Sequence, residues 1–184
     1  ALLISKKKYG EEHSSYAQPL NNLGVLYYSR GDYEKAESLY LEALKIRKNV
    51  LGEKHPDYAT SLSNLALFYY ETGNYEKAEP LYVESLEIRR ATLGEEHPEY
   101  AVTLNNMALF YSVTGNYKKA ETLLLKALDI LKNALGEEHP DYAISLNNLA
   151  LFYNDRGDYE RAEPLFNQAL KISKKVLGEM HPSY

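Results

Sequence analysis

Nine of the ten glycines in this 184-residue chain fall on two registers that share one period. Gly10, Gly52, Gly94, Gly136 and Gly178 stand 42 residues apart; so do Gly31, Gly73, Gly115 and Gly157, and the two series interleave at 21. Self-similarity of this length marks a stacked array in which each repeat is one supersecondary unit. Each glycine closes a segment of helical apolar spacing, where a helix ends most readily on a residue that tolerates the left-handed conformation. The repeat is therefore two helices of similar length, A and B.

The two turns differ in chemistry. After one glycine series comes Asp32, Asn74, Asn116 or Asp158, each able to cap the following helix B by accepting from its free N–H groups. The other turn reads Leu51-Gly52-Glu53-Lys54-His55-Pro56, with near-copies at 93–98, 135–140 and 177–182. Proline suits a first helical position, and Asp57, Glu99 and Asp141 behind it suit the positive end of the helix dipole. Lys48, Arg89, Arg90, Lys132, Lys174 and Lys175 stand at the opposite, negative ends of helices B. The spacing predicts helices over 14–30 and 33–51, 56–72 and 75–93, 98–114 and 117–135, 140–156 and 159–177. Pro80 and Pro164 lie inside their helices and predict bends, and Pro19 predicts a late start for the first helix.

Helix A carries an apolar stripe at spacings of three and four: Leu62, Leu65 and Tyr69, with equivalents in every repeat. Small residues hold one phase throughout, Gly24, Ala66, Ala108 and Ala150 in helix A and Ala36, Ala78, Ala120 and Ala162 in helix B. Ala43, Ser85, Ala127 and Ala169 form a second small series, beside the bulky Tyr40, Tyr82, Leu124 and Phe166. Such phasing predicts close approach of helix axes.

The pattern Leu62-x-x-Leu65-Ala66-x-x-Tyr69, then Gly73-Asn74-Tyr75, Ala78, Tyr82 and Ser85, resembles the tetratricopeptide signature without its usual tryptophan. The 42-residue period and the Leu-Gly-Glu-x-His-Pro linker are similar to the subfamily typified by kinesin light chains. That likeness is to the repeat and carries no kinesin-associated role. It implies an all-α fold, a right-handed superhelical solenoid of antiparallel helix pairs, over the whole of 1–184. The repeats are then 14–55, 56–97, 98–139 and 140–181. Residues 1–13 read as the end of a preceding helix B with its linker, and 182–184 as the start of another helix A. The expectation is a slice from inside a longer array, with both ends uncapped.

Composition narrows the function. A net charge of −5 and a pI near 5.6 give no general attraction to nucleic acid or acidic membranes. Cysteine is absent, which excludes disulfides, thiolate metal sites and cysteine nucleophiles and fits a reducing, cytoplasmic compartment. No apolar run approaches the ~18 residues of a membrane helix. Histidine recurs at 13, 55, 97, 139 and 181, but equivalent loops of packed helices lie on the order of 10 Å apart, too far to share a metal with ligand bonds near 2 Å. Capping or linker packing is the expected role. Carboxylates such as Glu34, Glu37, Glu76 and Glu79 fall on helix starts and exposed faces, no serine has an evident base, and every repeat glycine has a turn to make. The reading is no enzyme, no metal and no cofactor.

Asparagine is different. Asn22, Asn64, Asn106 and Asn148 share one phase of helix A, with Asn21, Asn105 and Asn147 before three of them and Ser63 before the fourth. An amide in mid-helix competes for backbone hydrogen bonds, so four at one phase suggest a use. The family resemblance implies that this phase lines a concave peptide-binding groove, continued by Val25, Leu67, Leu109 and Leu151 and then by Tyr28, Tyr70, Ser112 and Asn154. The other reading is that the amides bridge adjacent A helices; the two stand level on sequence alone. Helix A has no lysine or arginine at the positions where the chaperone-binding branch clamps a carboxylate. Arg47 and Arg89 resemble basic residues of the kinesin-light-chain pattern and are the candidates for contacts with an acidic ligand, against the plainer reading of solvated helix ends. The function expected is a scaffold for a protein or peptide partner, with no nucleic acid and no membrane. The alternative is a structural solenoid that stacks end to end with itself.

Overall fold

The computed structural model of the chain describes residues 13–177, with side chains to Lys175. The expectations for residues 1–12 and 178–184, including the partial terminal repeats, their uncapped ends and His181, lie outside the described residues. Eight helices are described: α1 (Ser14–Ser29), α2 (Tyr33–Leu51), α3 (Pro56–Glu71), α4 (Tyr75–Thr92), α5 (Pro98–Val113), α6 (Tyr117–Leu135), α7 (Pro140–Asp155) and α8 (Tyr159–Leu177). Two compact units carry them, one ending at Thr92 and one beginning at Leu93. Each unit holds two A–B pairs, in which A packs on its own B and that B packs on the next A.

Helices α2, α6 and α8 have the expected bounds, while α1, α3, α4, α5 and α7 stop one residue early. Residues Arg30, Thr72, Thr114 and Arg156 after the A helices turn to φ near −90° and ψ near 0°, and give their N–H groups to carbonyls of the last turn. The glycine behind then reverses the chain, Gly31 at φ 78° for example. The late start foreseen at Pro19 does not occur, for α1 begins at Ser14. Its first turn carries Tyr16 and Ala17, 5 % and 0 % exposed, and unwinding it would strip both from the core that they form with Leu20 and Ala43. Helices α4 and α8 likewise run through Pro80 and Pro164.

The histidines cap helices. Nδ1 of His13, His55, His97 and His139 accepts the N–H two residues on, at 3.1–3.2 Å. In the other turn, Asp32 and Asp158 accept from the N–H groups of Lys35 and Arg161, whereas Asn116 makes no side-chain cap. The small-residue phases are buried throughout. Gly24 shows why: a Cβ there would stand 3.0 Å from Cζ of the Tyr40 ring.

A staple recurs in both units. Tyr69 of α3 donates to Glu37 of α2 at 2.5 Å, and Lys77 of α4 reaches the same oxygen at 3.2 Å. Tyr153, Glu121 and Arg161 repeat the arrangement across α7, α6 and α8. The Tyr69 hydroxyl and then Lys77 hold the Glu37 carboxyl below its ordinary range. A carboxyl whose pKa is lower folded than unfolded contributes stability above the unfolded value, and that contribution disappears as pH falls through the folded one. Glu37→Gln is therefore expected to cost about 1 kcal/mol at neutral pH, a value kept small by the group's partial exposure. The gap between urea titrations of the two proteins should narrow as pH falls below the unfolded carboxyl value near ~4.3. A gap that stays constant through the acid range would contradict the assignment.

Candidate functional site

In the first unit the helical spacing of α1 sets Asn21 and Asn22, Val25 and Tyr28 along one stripe, one turn apart. Helix α3 sets Asn64, Leu67 and Tyr70 on the matching stripe. A cleft of about 440 Å³ lies here, with Asn22, Asn64, Val25 and Leu67 among its walls. Val25 is 56 % exposed and Asn64 half-buried. Gln18 donates to Asn22 at 3.1 Å. Asn21 differs from its neighbour: it is 2 % exposed, it borders the cleft, and neither atom of its amide has a hydrogen-bond partner.

Aromatic rings close one side. Phe68 stands 5.4 Å from Tyr40 and meets Tyr28 edge-on at 6.2 Å. Tyr33 lies 5.7 Å beyond Tyr28. Glu71, the last residue of α3, borders the same cleft. Burial, followed by the charge of Glu71, pushes the Tyr40 hydroxyl up to about 12 and raises that of Tyr28.

In the second unit Asn106, Asn148 and Leu109 are half-buried, Leu151 is 41 % exposed, and Asn154 is exposed where the first unit has tyrosines. Asn105 is 4 % exposed, and its Oδ1 accepts from Ser145 of α7 at 3.2 Å. Asn147 is exposed and borders a separate cleft of about 460 Å³ with Phe166 and Leu170. Bridging between A helices thus occurs at Asn105. Among the described residues, Asn64, Asn106 and Asn148 make no side-chain hydrogen bond to another helix.

The two arginines lie elsewhere than the solvated-end reading placed them. Both are 5 % exposed. Arg47 donates to the Asp57 carbonyl and the Ser61 hydroxyl, each at 3.0 Å, and to Gln18 at 3.1 Å. Arg89 donates to Ser63, Ser85 and Thr60. Their guanidinium groups point inward, because this B-helix phase is a core phase; Leu131 occupies it in the second unit at 0 % exposure. That leucine was the signal in the sequence. Burial pushes Arg47 below the usual guanidinium value, with the Asp57 charge acting the other way.

Among the described residues no cluster of three metal-ligating side chains forms, and no helix is long and apolar enough to cross a membrane.

The family model described as tetratricopeptide repeat matches residues 1–49, 15–91, 57–112 and 101–175. A comparison with curated proteins returned no match. Among solved structures, BtubC (BKLC) from P. vanneervenii is similar at 29 % identity and a TM-score of 0.72, over 91 % of this chain and 66 % of that one. This chain therefore spans just under two thirds of BtubC. Two structures of kinesin-light-chain TPR-like repeats from Podosopora anserina, one of them a point variant, align at 27 % and 28 % identity with TM-scores of 0.70 and 0.67. They cover 96 % and 95 % of this chain and 83 % and 82 % of their own. These likenesses bear out the all-α repeat-solenoid class and the kinesin-light-chain-like repeat.

Proposed function

The chain belongs to the tetratricopeptide repeat family, generally a family of protein-interaction scaffolds, and from that premise we propose that its A-helix face binds an extended segment of a partner protein. The observation that carries the reading is the asparagine phase. Asn64, Asn106 and Asn148 keep amides free of other helices, beside Leu67, Leu109 and Leu151 one turn along. A primary amide offers both a donor and an acceptor, the complement of a backbone peptide group. Packed helices stand 8–10 Å apart and an extended chain advances 3.2–3.4 Å per residue. Within one unit, successive amides would then meet a bound segment about every three residues, regardless of its sequence. The apolar positions between them receive side chains. Arg47 and Arg89 are buried, with their guanidinium groups turned to the neighbouring helices, and are not offered as surface contacts for acidic groups.

The test is the triple variant Asn64→Ala, Asn106→Ala and Asn148→Ala. Each lost hydrogen bond is worth about 0.5–1.5 kcal/mol, so affinity for a partner captured with the parent array should fall at least ~10-fold. Alanine is the better helix former, so the melting temperature should hold or rise. Unchanged affinity would remove the groove from consideration.

Self-association is the second reading. It is favoured by the exposed apolar side chains at the cleft of α7 and α8, where Ile144 is 57 % and Leu170 47 % exposed. Sedimentation across a concentration series separates the two.

A further inference from the structure

We propose that the cleft of the first unit selects a basic side chain, arginine, in the bound segment, the guanidinium lying against Tyr28 and pairing with Glu71. This specificity rests on the peptide-binding reading above and assigns its ligand chemistry.

The first support is the Asn21 amide. Burying an amide with no hydrogen bonds is unfavourable. Both amide atoms lie beneath the cleft surface, so an occupant bringing a peptide N–H and C=O recovers that cost as the Asn21 side chain turns outward to meet it. The defect has a specific origin. In the second unit Ser145 satisfies Asn105, and Leu131 lies at the phase of Arg47. In the first unit Ser61 stands at the phase of Ser145, but its oxygen is turned to accept from Arg47 at 3.0 Å, and Asn21 has no partner. The unpartnered amide is therefore a feature of this repeat and not of the fold at large.

The second support is charge. Glu71 is exposed at the cleft and, among the described residues, forms no ion pair; no lysine or arginine lines the cleft. It sits at the C-terminal end of α3, whose last turn carries no basic residue, so the helix dipole adds to its negative field. Burial first, and then the Glu71 charge, raises the hydroxyls of Tyr28 and Tyr40.

The third is the aromatic wall. Elsewhere the chain's own cations lie on tyrosine faces, Lys77 at 4.7 Å from Tyr69 and Arg161 at 4.0 Å from Tyr153. Tyr28, the half-buried ring of the wall, carries no such cation among the described residues, while Tyr40 and Phe68 back it from the core. A planar guanidinium can stack on a ring and fork a carboxylate at once, which an ammonium cannot. The second unit has Ser112 and Leu124 at the phases of Tyr28 and Tyr40, so it lacks this wall.

The experiment titrates the full 184-residue chain with blocked pentapeptides, Ac-Ala-Ala-Arg-Ala-Ala-NH2 and its citrulline and glutamate analogues, followed by the side-chain amide signals in 15N NMR. The arginine peptide should shift the Asn21 amide and bind about 10-fold tighter than the citrulline peptide, which has the same shape without the charge. Glu71→Gln, an exposed change that leaves the core intact, should bring the two within about 2-fold. Equal or tighter binding of the citrulline or glutamate peptide overturns the proposal, as does an arginine preference that survives Glu71→Gln. If all three peptides shift Asn21 and Asn64 equally, the charge preference fails while the groove reading stands. If none shifts either amide, the preference also fails, and the asparagine triple variant decides the groove separately.

Discussion

Tyr82→Ala is expected to lower the unfolding free energy of the chain by about 3–5 kcal/mol, the largest stability loss expected of any single change here. Among the described residues, Tyr82 is the bulkiest side chain buried to 0 % exposure. It occupies the B-helix phase that fills the space beside the small residues Ala78 and Ser85, themselves closed to solvent. Around such a site the neighbours cannot collapse inward, since α3 and α4 are held at fixed separation by the Arg89 bonds to Thr60 and Ser63. The cavity therefore persists and adds its cost to the lost transfer free energy. Tyr33→Ala is the control: at 53 % exposure it should change stability by no more than about 0.5 kcal/mol. Urea unfolding followed by far-UV circular dichroism measures both. In a repeat architecture the damage is local, so hydrogen exchange should quicken first in α3 and α4. A loss under about 1.5 kcal/mol would show that the site relaxes, and that the phase is not the anchor of the unit.

Tyr82 was recognisable in advance because its burial follows from periodicity. A phase that holds Tyr40, Tyr82, Leu124 and Phe166 in four successive copies is a core phase whatever the partners. The same holds for the glycine turns and the histidine caps, where each requirement is met within a few residues of chain. Legibility ended where the outcome depended on competition between helices. Arg47 reads as a surface cation if taken alone, and only the leucine in its place at 131 marks the phase as interior. Asn21 and Asn105 are the same residue at the same phase, yet one amide is unpartnered and the other bonded. The serine on the next A helix donates to the asparagine in one unit and in the other turns its oxygen to a B-helix residue 14 positions before it. No pattern confined to one repeat contains that information. Asp32 and Asn116 make the same point on a smaller scale, one capping its helix through the side chain and the other not.

Arg47→Leu and Arg47→Ala should therefore move stability in different directions. The guanidinium is buried, and its hydrogen-bond acceptors are a carbonyl, a hydroxyl and an amide oxygen, none of them charged. Its Nε has no partner. Desolvating a cation costs several kcal/mol, and neutral acceptors recover only part of it. Leucine carries no charge to desolvate, and its counterpart Leu131 is fully buried at the same phase of the second unit. Arg47→Leu is thus expected to be neutral or to stabilise by about 1–3 kcal/mol. Alanine removes the charge as well, but it also removes the aliphatic stem packed between helices, and the resulting cavity should cost about 2–3 kcal/mol. The leucine variant makes a second, independent demand. With Arg47 gone, Ser61 has no guanidinium to accept from and can turn its hydroxyl to donate to Asn21 Oδ1, as Ser145 does to Asn105. Half of the orphaned amide would then be satisfied without any ligand. The chain should become more stable and bind the arginine pentapeptide more weakly, a combination that a merely structural arginine does not produce. If both substitutions destabilise alike, the guanidinium network itself holds α1, α2 and α3 together. Binding that is unchanged in a stable Arg47→Leu protein would instead mean that the amide of Asn21 never faced a ligand.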